Sequence, residues 1–209
     1  MKPEGRKCDE MRVVLASHNP DKLKEFEQIL QLNDLELVSQ SSLGLRDPVE
    51  ETGKTYRENA LIKARAAYDR FNLPVLADDS GLSVDLLDGY PGIYSARFAG
   101  EETSYPDKMR YLWDLLSSYP QSDWTAAFIC AICFIDPQGI AHFYEGKQQG
   151  MILPEARGYN GFGYDPIFQG LGSNLTNAEL APGEKHARSH RGKALKAFRE
   201  DWLAGKFAL

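Results

Sequence analysis

Two long strand-like runs, residues 124–135 and 139–152, meet around Asp136, Pro137, Gln138 and Gly139, and so short a set of turn formers requires the two strands to run antiparallel. Upstream the pattern differs. β-rich runs at residues 12–16, 36–38 and 75–77 alternate with segments whose apolar residues recur at helical spacing: Leu23, Phe26 and Leu30; Leu61, Ala64, Tyr68 and Phe71; Met109, Leu112, Trp113 and Leu116. A last helix carries Leu195, Phe198 and Trp202 behind Ser189, and Ser104 is a cap for the helix before the hairpin. Alternating strands and helices ahead of an antiparallel hairpin predict an α/β fold with a mixed sheet.

Composition narrows the class of partner. The chain has 209 residues, 43% of them hydrophobic and 26% charged, with a net charge of −6. That suits one globular domain, and it argues against a broad nucleic-acid surface, which needs a clustered positive field. Local Lys and Arg can still hold a small anion, because salt limits the reach of distant charge to about 8 Å. The first eleven residues, MKPEGRKCDEM, match no element and are expected to form a disordered extension. No run approaches the roughly 20 apolar residues of a membrane span, and with no signal-peptide pattern the expected compartment is the cytoplasm. Three cysteines make no disulfide framework. Cys130 and Cys133 spell C-x-x-C inside a predicted strand, where residues three apart face opposite sides, so they read as buried structural thiols.

The polar residues gather in islands: SHNPDK at 17–22, EETG at 50–53, ADDSGL at 77–82, and GFGYDP with SHR within 161–191. In the first, Asn19 is an N-cap and Pro20 stands at the first helical position, so free amides and Lys22 there suit a phosphate; a well-capped helix with a solvated lysine is the other reading. GKT at 53–55 suggests the end of a P-loop, but Pro48 occupies the place of its first glycine, and the P-loop is rejected. Glu50 and Glu51 are helix-start acids or magnesium ligands. Asp78 and Asp79 follow an apolar strand directly, at the strand's end where α/β proteins place ligands; they are structural turn acids or, since adjacent side chains point to opposite faces, one addresses a metal while the other braces the loop. Asn59 and Lys63, four apart, share a helical stripe that can look into a cleft. Gly158, Gly161 and Gly163 surround Tyr159, Phe162 and Tyr164, a turn packed by aromatics or a shelf for a base. His190 and Arg191 begin the last helix as solvated residues or as groups directed at a ligand, and the second is favoured because the dipole mildly disfavours positive charge there.

Taken in order, SHNPDKLKEF, EETGKTYRENALIKA, LADDSGLSVDLLDGYPGIYSARFAG, GFGYDPIF and EKHARSHRGKAL resemble the inosine triphosphate pyrophosphatase family, also described as dITP/XTP pyrophosphatases. The likeness runs from about Arg12 to Trp202. It implies an elongated mixed β-sheet flanked by helices, with two lobes and a central active-site cleft in a single domain over residues 12–209. It also implies a homodimer, and Mg²⁺-dependent hydrolysis of ITP, dITP or XTP to monophosphate and pyrophosphate. By position, Ser17, His18, Asn19, Pro20, Asp21 and Lys22 would bind the triphosphate with Lys63. Glu51 and Asp79 would hold magnesium, and Asp79 would accept the proton of the attacking water, with Ser80 beside it. Phe162, Gly163, Tyr164 and Asp165 would cradle base and sugar, and Lys185, His190 and Arg191 would read the base edge. The chain departs from the family pattern at Ser17, His18 and His186, where threonine, glycine and asparagine are frequent. Two other readings share the phosphate end: a hydrolase of modified pyrimidine nucleotides, and a non-catalytic nucleotide sensor, which would not need the Glu51 and Asp79 pair.

Overall fold

The computed structural model describes residues 10–45 and 47–207. The expected extension over residues 1–11 therefore lies outside the described residues as far as residue 9, and Met11 already belongs to a strand. Among the described residues six strands form one sheet: β1 (Met11–Leu15), β2 (Leu35–Ser39), β3 (Val75–Val84), β4 (Thr125–Ile135), β5 (Ala141–Ile152) and β6 (Phe168–Gly170). Their order is β2-β1-β3-β4-β5-β6. β1 pairs in parallel with β2 and β3, and the pairs from β3 to β6 are antiparallel, which gives the mixed sheet the sequence predicts.

Five α-helices among the described residues flank it: α1 (Pro20–Leu30), α2 (Tyr56–Phe71), α3 (Tyr105–Leu116), α4 (Pro182–Arg188) and α5 (His190–Leu203). Local chemistry starts most of them. Asn19, Thr55, Ser104 and Ser189 each accept a bond from a first-turn amide, and Thr55 forms a reciprocal capping box with Glu58. Phe26 and Leu30 of α1 pack with Leu195, Phe198 and Trp202 of α5 over one face of β1, β3 and β4. Ala60, Ala64 and Ala67 of α2 cover the opposite face. Leu61, Tyr68 and Phe71, expected on the buried stripe of α2, are only partly buried, since the helix lies close enough to the sheet that alanines fill the contact. A third core, with Leu112 and Leu116 of α3, covers the far ends of β3 and β4 and includes Phe168.

Asp78 and Asp79 do not end β3, as the sequence suggests; the strand runs on to Val84 and pairs with β4 over ten consecutive residues. The long partner supplies the backbone bonds that carry a turn-like DDSG segment through in extended form. Cys130 packs in the α1/α5 core and Cys133 in the α2 core, so the two thiols are on opposite faces of β4. Burial pushes both thiols up to about 12.

α5 crosses β5 closely enough that a Cβ on Gly146 would run into the His190 carbonyl. Gly146→Ala is therefore expected to lower stability by about 1–3 kcal/mol, read as a lower urea midpoint with an unchanged slope.

Candidate active site

The carboxyl ends of β1 and β2, the middle of β3, the first turns of α1 and α5, and the loop before residue 165 converge on one cavity of about 310 Å³. Every residue expected at the site lines it except Pro20 and Asp21. Those two start the helix: Asn19 Oδ1 accepts the Asp21 amide at 2.9 Å, and Pro20 takes the position where an N–H would have no partner.

At one end lie Ser17, His18 and Lys22, with buried Gln40 reaching His18 through its side-chain amide. In the middle, strand alternation separates the two aspartates. Asp78, only 1% exposed, accepts from Lys22 Nζ at 3.0 Å and from Arg191 at 3.0 Å. Burial opposes its charge, but Lys22 and Arg191 outweigh that and hold the carboxyl well below the usual range. Asp79 turns toward α2, where Asn59 Nδ2 donates to Oδ2 at 3.1 Å and Lys63 Nζ lies 3.4 Å from Oδ1. Here burial wins, helped by neighbouring Glu51 and opposed by Lys63, and the carboxyl is raised above its ordinary value. Asn59 also accepts the Gly53 amide at 2.9 Å, which ties the EETG loop to Asp79.

Glu51 is held by two cations, Lys63 at 2.6 Å on Oε1 and Arg97 at 3.2 Å on Oε2. Burial would raise its carboxyl, but Lys63 chiefly, with Arg97 and Lys22, brings it below the usual range. The Lys63 ammonium thus sits between two carboxylates, one from the loop and one from the strand. A hard divalent cation fits this donor set: Mg²⁺ commonly takes one or two protein carboxylates and fills its remaining positions with water and substrate phosphates. Among the described residues there is no cluster of three or more acidic, His or Cys side chains that would form an all-protein cage.

At the other end, Asp165 fixes the glycine-rich loop. Its Oδ2 accepts the Phe162 amide at 2.9 Å and Lys185 Nζ at 2.8 Å, and Asn177 donates to Oδ1 at 3.3 Å. Gly161 has a φ of 77°, and a Cβ there would strike the Asp165 carboxylate. Lys185 and Arg191 lie 5.2 and 5.5 Å from the centroid of the Phe162 ring and also share Glu25 of α1. Lys185 donates to Glu25 and Asp165, while Arg191 uses four N–H groups on Asp78, Glu25 and Ser80; each cation keeps one N–H without a partner among the described residues.

Both readings of the aromatic loop hold in part. Tyr164 lines the cavity and is also only 2% exposed, donating through its hydroxyl to the Ser95 carbonyl and packing in the α3 core. Tyr159 is fully exposed and is not in the cavity lining. Phe162 lines the cavity beside Tyr164. His190 stacks on Phe128 with centroids 4.8 Å apart, and burial, with Arg191 and Lys185 nearby, pushes its pKa well below the ordinary value, so it is a neutral group at the helix start. The positive charge of Arg191 beside it is compensated by Asp78 and Glu25, not by the dipole.

Sequence reasoning missed Glu25, Arg97, Gln40, Tyr105 and Asn177. Glu25 carried a signal: a charged residue directly beside Phe26 on the inward side of α1, one turn after Lys22. The others lie in loops or at helix starts without a distinguishing pattern.

The sequence model described as the Ham1 family matches residues 13–201. A dITP/XTP pyrophosphatase of Vibrio parahaemolyticus is 45% identical over 190 residues, covering 89% of this chain and 94% of that protein. One of Bacillus subtilis is 43% identical over 183 residues, covering 88% and 92%. Among solved structures, a HAM1 protein from Coxiella burnetii superposes with a TM-score of 0.85 at 39% identity, covering 93% of this chain and 99% of that one. A nucleoside-triphosphatase, dITP/XTP pyrophosphatase, from Mycobacterium abscessus gives 0.73 at 42% identity, covering 90% and 98%.

Proposed function

The chain belongs to the Ham1 family, and from that membership together with the cavity we propose that it is a nucleoside triphosphate pyrophosphatase, a hydrolase that cleaves deaminated purine nucleotides (dITP, XTP, ITP) to monophosphate and pyrophosphate. The observation that carries this reading is the joining, in one cavity, of a cationic helix start at Lys22, the Glu51 and Asp79 pair, and an aromatic, cationic end at Phe162, Lys185 and Arg191.

The triphosphate lies along Ser17, His18, Asn19 and Lys22, where the amides of the α1 N-terminus and the ammonium meet its oxygens. Lys63 is drawn from the carboxylates to the phosphates as the nucleotide enters. Glu51 and Asp79 would hold Mg²⁺, which when bound would neutralise phosphate oxygens and make water easier to deprotonate. Asp79 accepts the proton of the attacking water; a carboxyl raised by burial is a better base than an exposed one, and Asn59 fixes one of its oxygens. No covalent nucleophile is needed, since phosphoryl transfer is mainly positioning and electrostatics.

Base choice follows from the two unused N–H groups of Lys185 and Arg191. A 6-oxo group accepts both, whereas the amino group of adenine leaves buried donors unpaired, and such sites reject the wrong analogue by up to roughly 10⁴–10⁵. Guanine shares the 6-oxo group and must be excluded at its 2-position. A single two-lobed domain, a homodimer and a cytoplasmic location complete the proposal; no helix among the described residues is long and apolar enough to cross a membrane.

Incubation with Mg²⁺ and dITP, XTP, ITP, GTP or dUTP, scoring pyrophosphate against orthophosphate, tests it. Pyrophosphate from the first three and little turnover of the others is expected. Stepwise orthophosphate release, or preference for the pyrimidine nucleotide, would overturn it. Stacking contributes about 1–3 kcal/mol per base, so Phe162→Ala should raise KM by roughly 5- to 150-fold and change kcat less, because the contact is made in both ground and transition states. Steady-state kinetics with dITP checks this, and an unchanged KM would remove Phe162 from base binding.

A further inference from the structure

Arg97 is not among the side chains that line the cavity, but it bonds one that does. Its backbone leaves from a segment tied at both sides. Ser95 Oγ accepts the Leu82 amide at 2.8 Å and donates to the Gly92 carbonyl at 2.6 Å, the Ser95 carbonyl accepts the Tyr164 hydroxyl, and Phe98 is buried in the α3 core. The guanidinium lies over the Tyr94 ring, 4.9 Å from its centroid, and meets Oε2 of Glu51 at 3.2 Å.

The two oxygens of Glu51 therefore have unlike partners. Oε1 is held by Lys63, a point charge on a flexible stem that is shared with Asp79. Oε2 is held by a planar cation stacked on an aromatic ring and launched from fixed backbone. When a divalent cation and a polyphosphate enter, Lys63 has a new partner in the phosphates, and Oε1 is released. Arg97 stands outside the cavity lining and is bonded to Oε2.

We propose that Arg97 is the positioning residue of Glu51: it retains Oε2 in both states and so presents Oε1 to Mg²⁺ in a fixed orientation. This rests on the reading of the site as a Mg²⁺-dependent pyrophosphatase. Outer partners of metal ligands typically change metal affinity by about 10–100-fold when removed, and the expected effect is of that size.

The test is calorimetric binding of the α,β-imido analogue of dITP, which is not cleaved, with Mg²⁺ and with excess chelator. For the parent protein Mg²⁺ tightens binding. In Arg97→Ala that tightening should fall by about 10-fold or more, with binding in chelator unchanged, and Arg97→Lys should recover part of it. In a Glu51→Gln background, Arg97→Ala should cause no further loss, an outcome that a merely structural role would not produce. The proposal is overturned if Arg97→Ala leaves the Mg²⁺ effect at the parental level, or lowers metal-free binding equally. A parent that binds the analogue equally well with and without Mg²⁺ would overturn the metal reading and the role of Arg97 together, so the two failures are distinguishable. Arg97→Lys serves as the test variant if the alanine protein does not fold, and a parental Mg²⁺ effect in every folded variant would again sink the idea.

Discussion

Asp79→Asn lowers kcat for dITP by roughly 10²–10⁴-fold, the range that a positioned general base supplies, and leaves the melting temperature close to that of the parent. The substitution keeps the shape of the side chain and can keep the bond from Asn59, but it removes the proposed proton acceptor and one negative charge beside Glu51. The fold tolerates this because Asp79 is the acid of the pair that burial has already made costly to ionise, so its charge is not what holds β3 in place. A kcat within a few-fold of the parent would remove Asp79 from the chemistry.

The neighbouring acid should give the opposite result. Asp78→Ala strips the carboxylate from Lys22 and Arg191, both drawn into the interior, and breaking a buried pair in this way costs about 3–5 kcal/mol. For a chain of this size that corresponds to a melting temperature lower by roughly 6–20 °C. It should also flatten the acid limb of the stability curve. Asp78 and Glu25 are both held below the ordinary carboxylate range in the folded protein, burial opposing and the nearby cations prevailing. A depressed folded value means that the unfolded chain takes up protons first, so the stabilisation is complete above the unfolded values of about 3.9 and 4.3 and is lost as pH falls below them. Urea titrations between neutral pH and the acid range check both statements. An Asp78→Ala protein as stable as the parent, with the same acid sensitivity, would mean that Asp78 does not anchor this network.

These two residues also mark where the sequence stops being legible. What depends on neighbours in the chain reads directly: the caps at Asn19, Ser104 and Ser189, the turn at residues 136–139, and the opposite facing of Cys130 and Cys133 all follow from local chemistry or strand period. The continuation of β3 through Asp78 and Asp79 does not, because DDSG has the composition of a turn and only pairing with β4 makes it a strand. α4 has no apolar stripe to announce it and is short. The convergence of the polar islands was expected from resemblance, while the network joining them was not. Glu25 meets Lys185 and Arg191 across more than 150 residues of sequence, and Arg97 meets Glu51 from a loop with no pattern of its own. The motif around Tyr164 could be a packed turn or a ligand shelf, and which residues the adjacent core buries could not be read from it: Tyr164 packs in that core while also lining the cavity.

Whether one nucleotide spans the whole cavity is decided by a crystal structure of the protein with Mg²⁺ and the α,β-imido analogue of dITP. The expected structure has phosphates against the α1 N-terminus and Lys22, the cation between Glu51 and Asp79, and the base beside Phe162 with its 6-oxo oxygen facing Lys185 and Arg191. A nucleotide bound elsewhere on the protein, or a cation held by neither carboxylate, would contradict it.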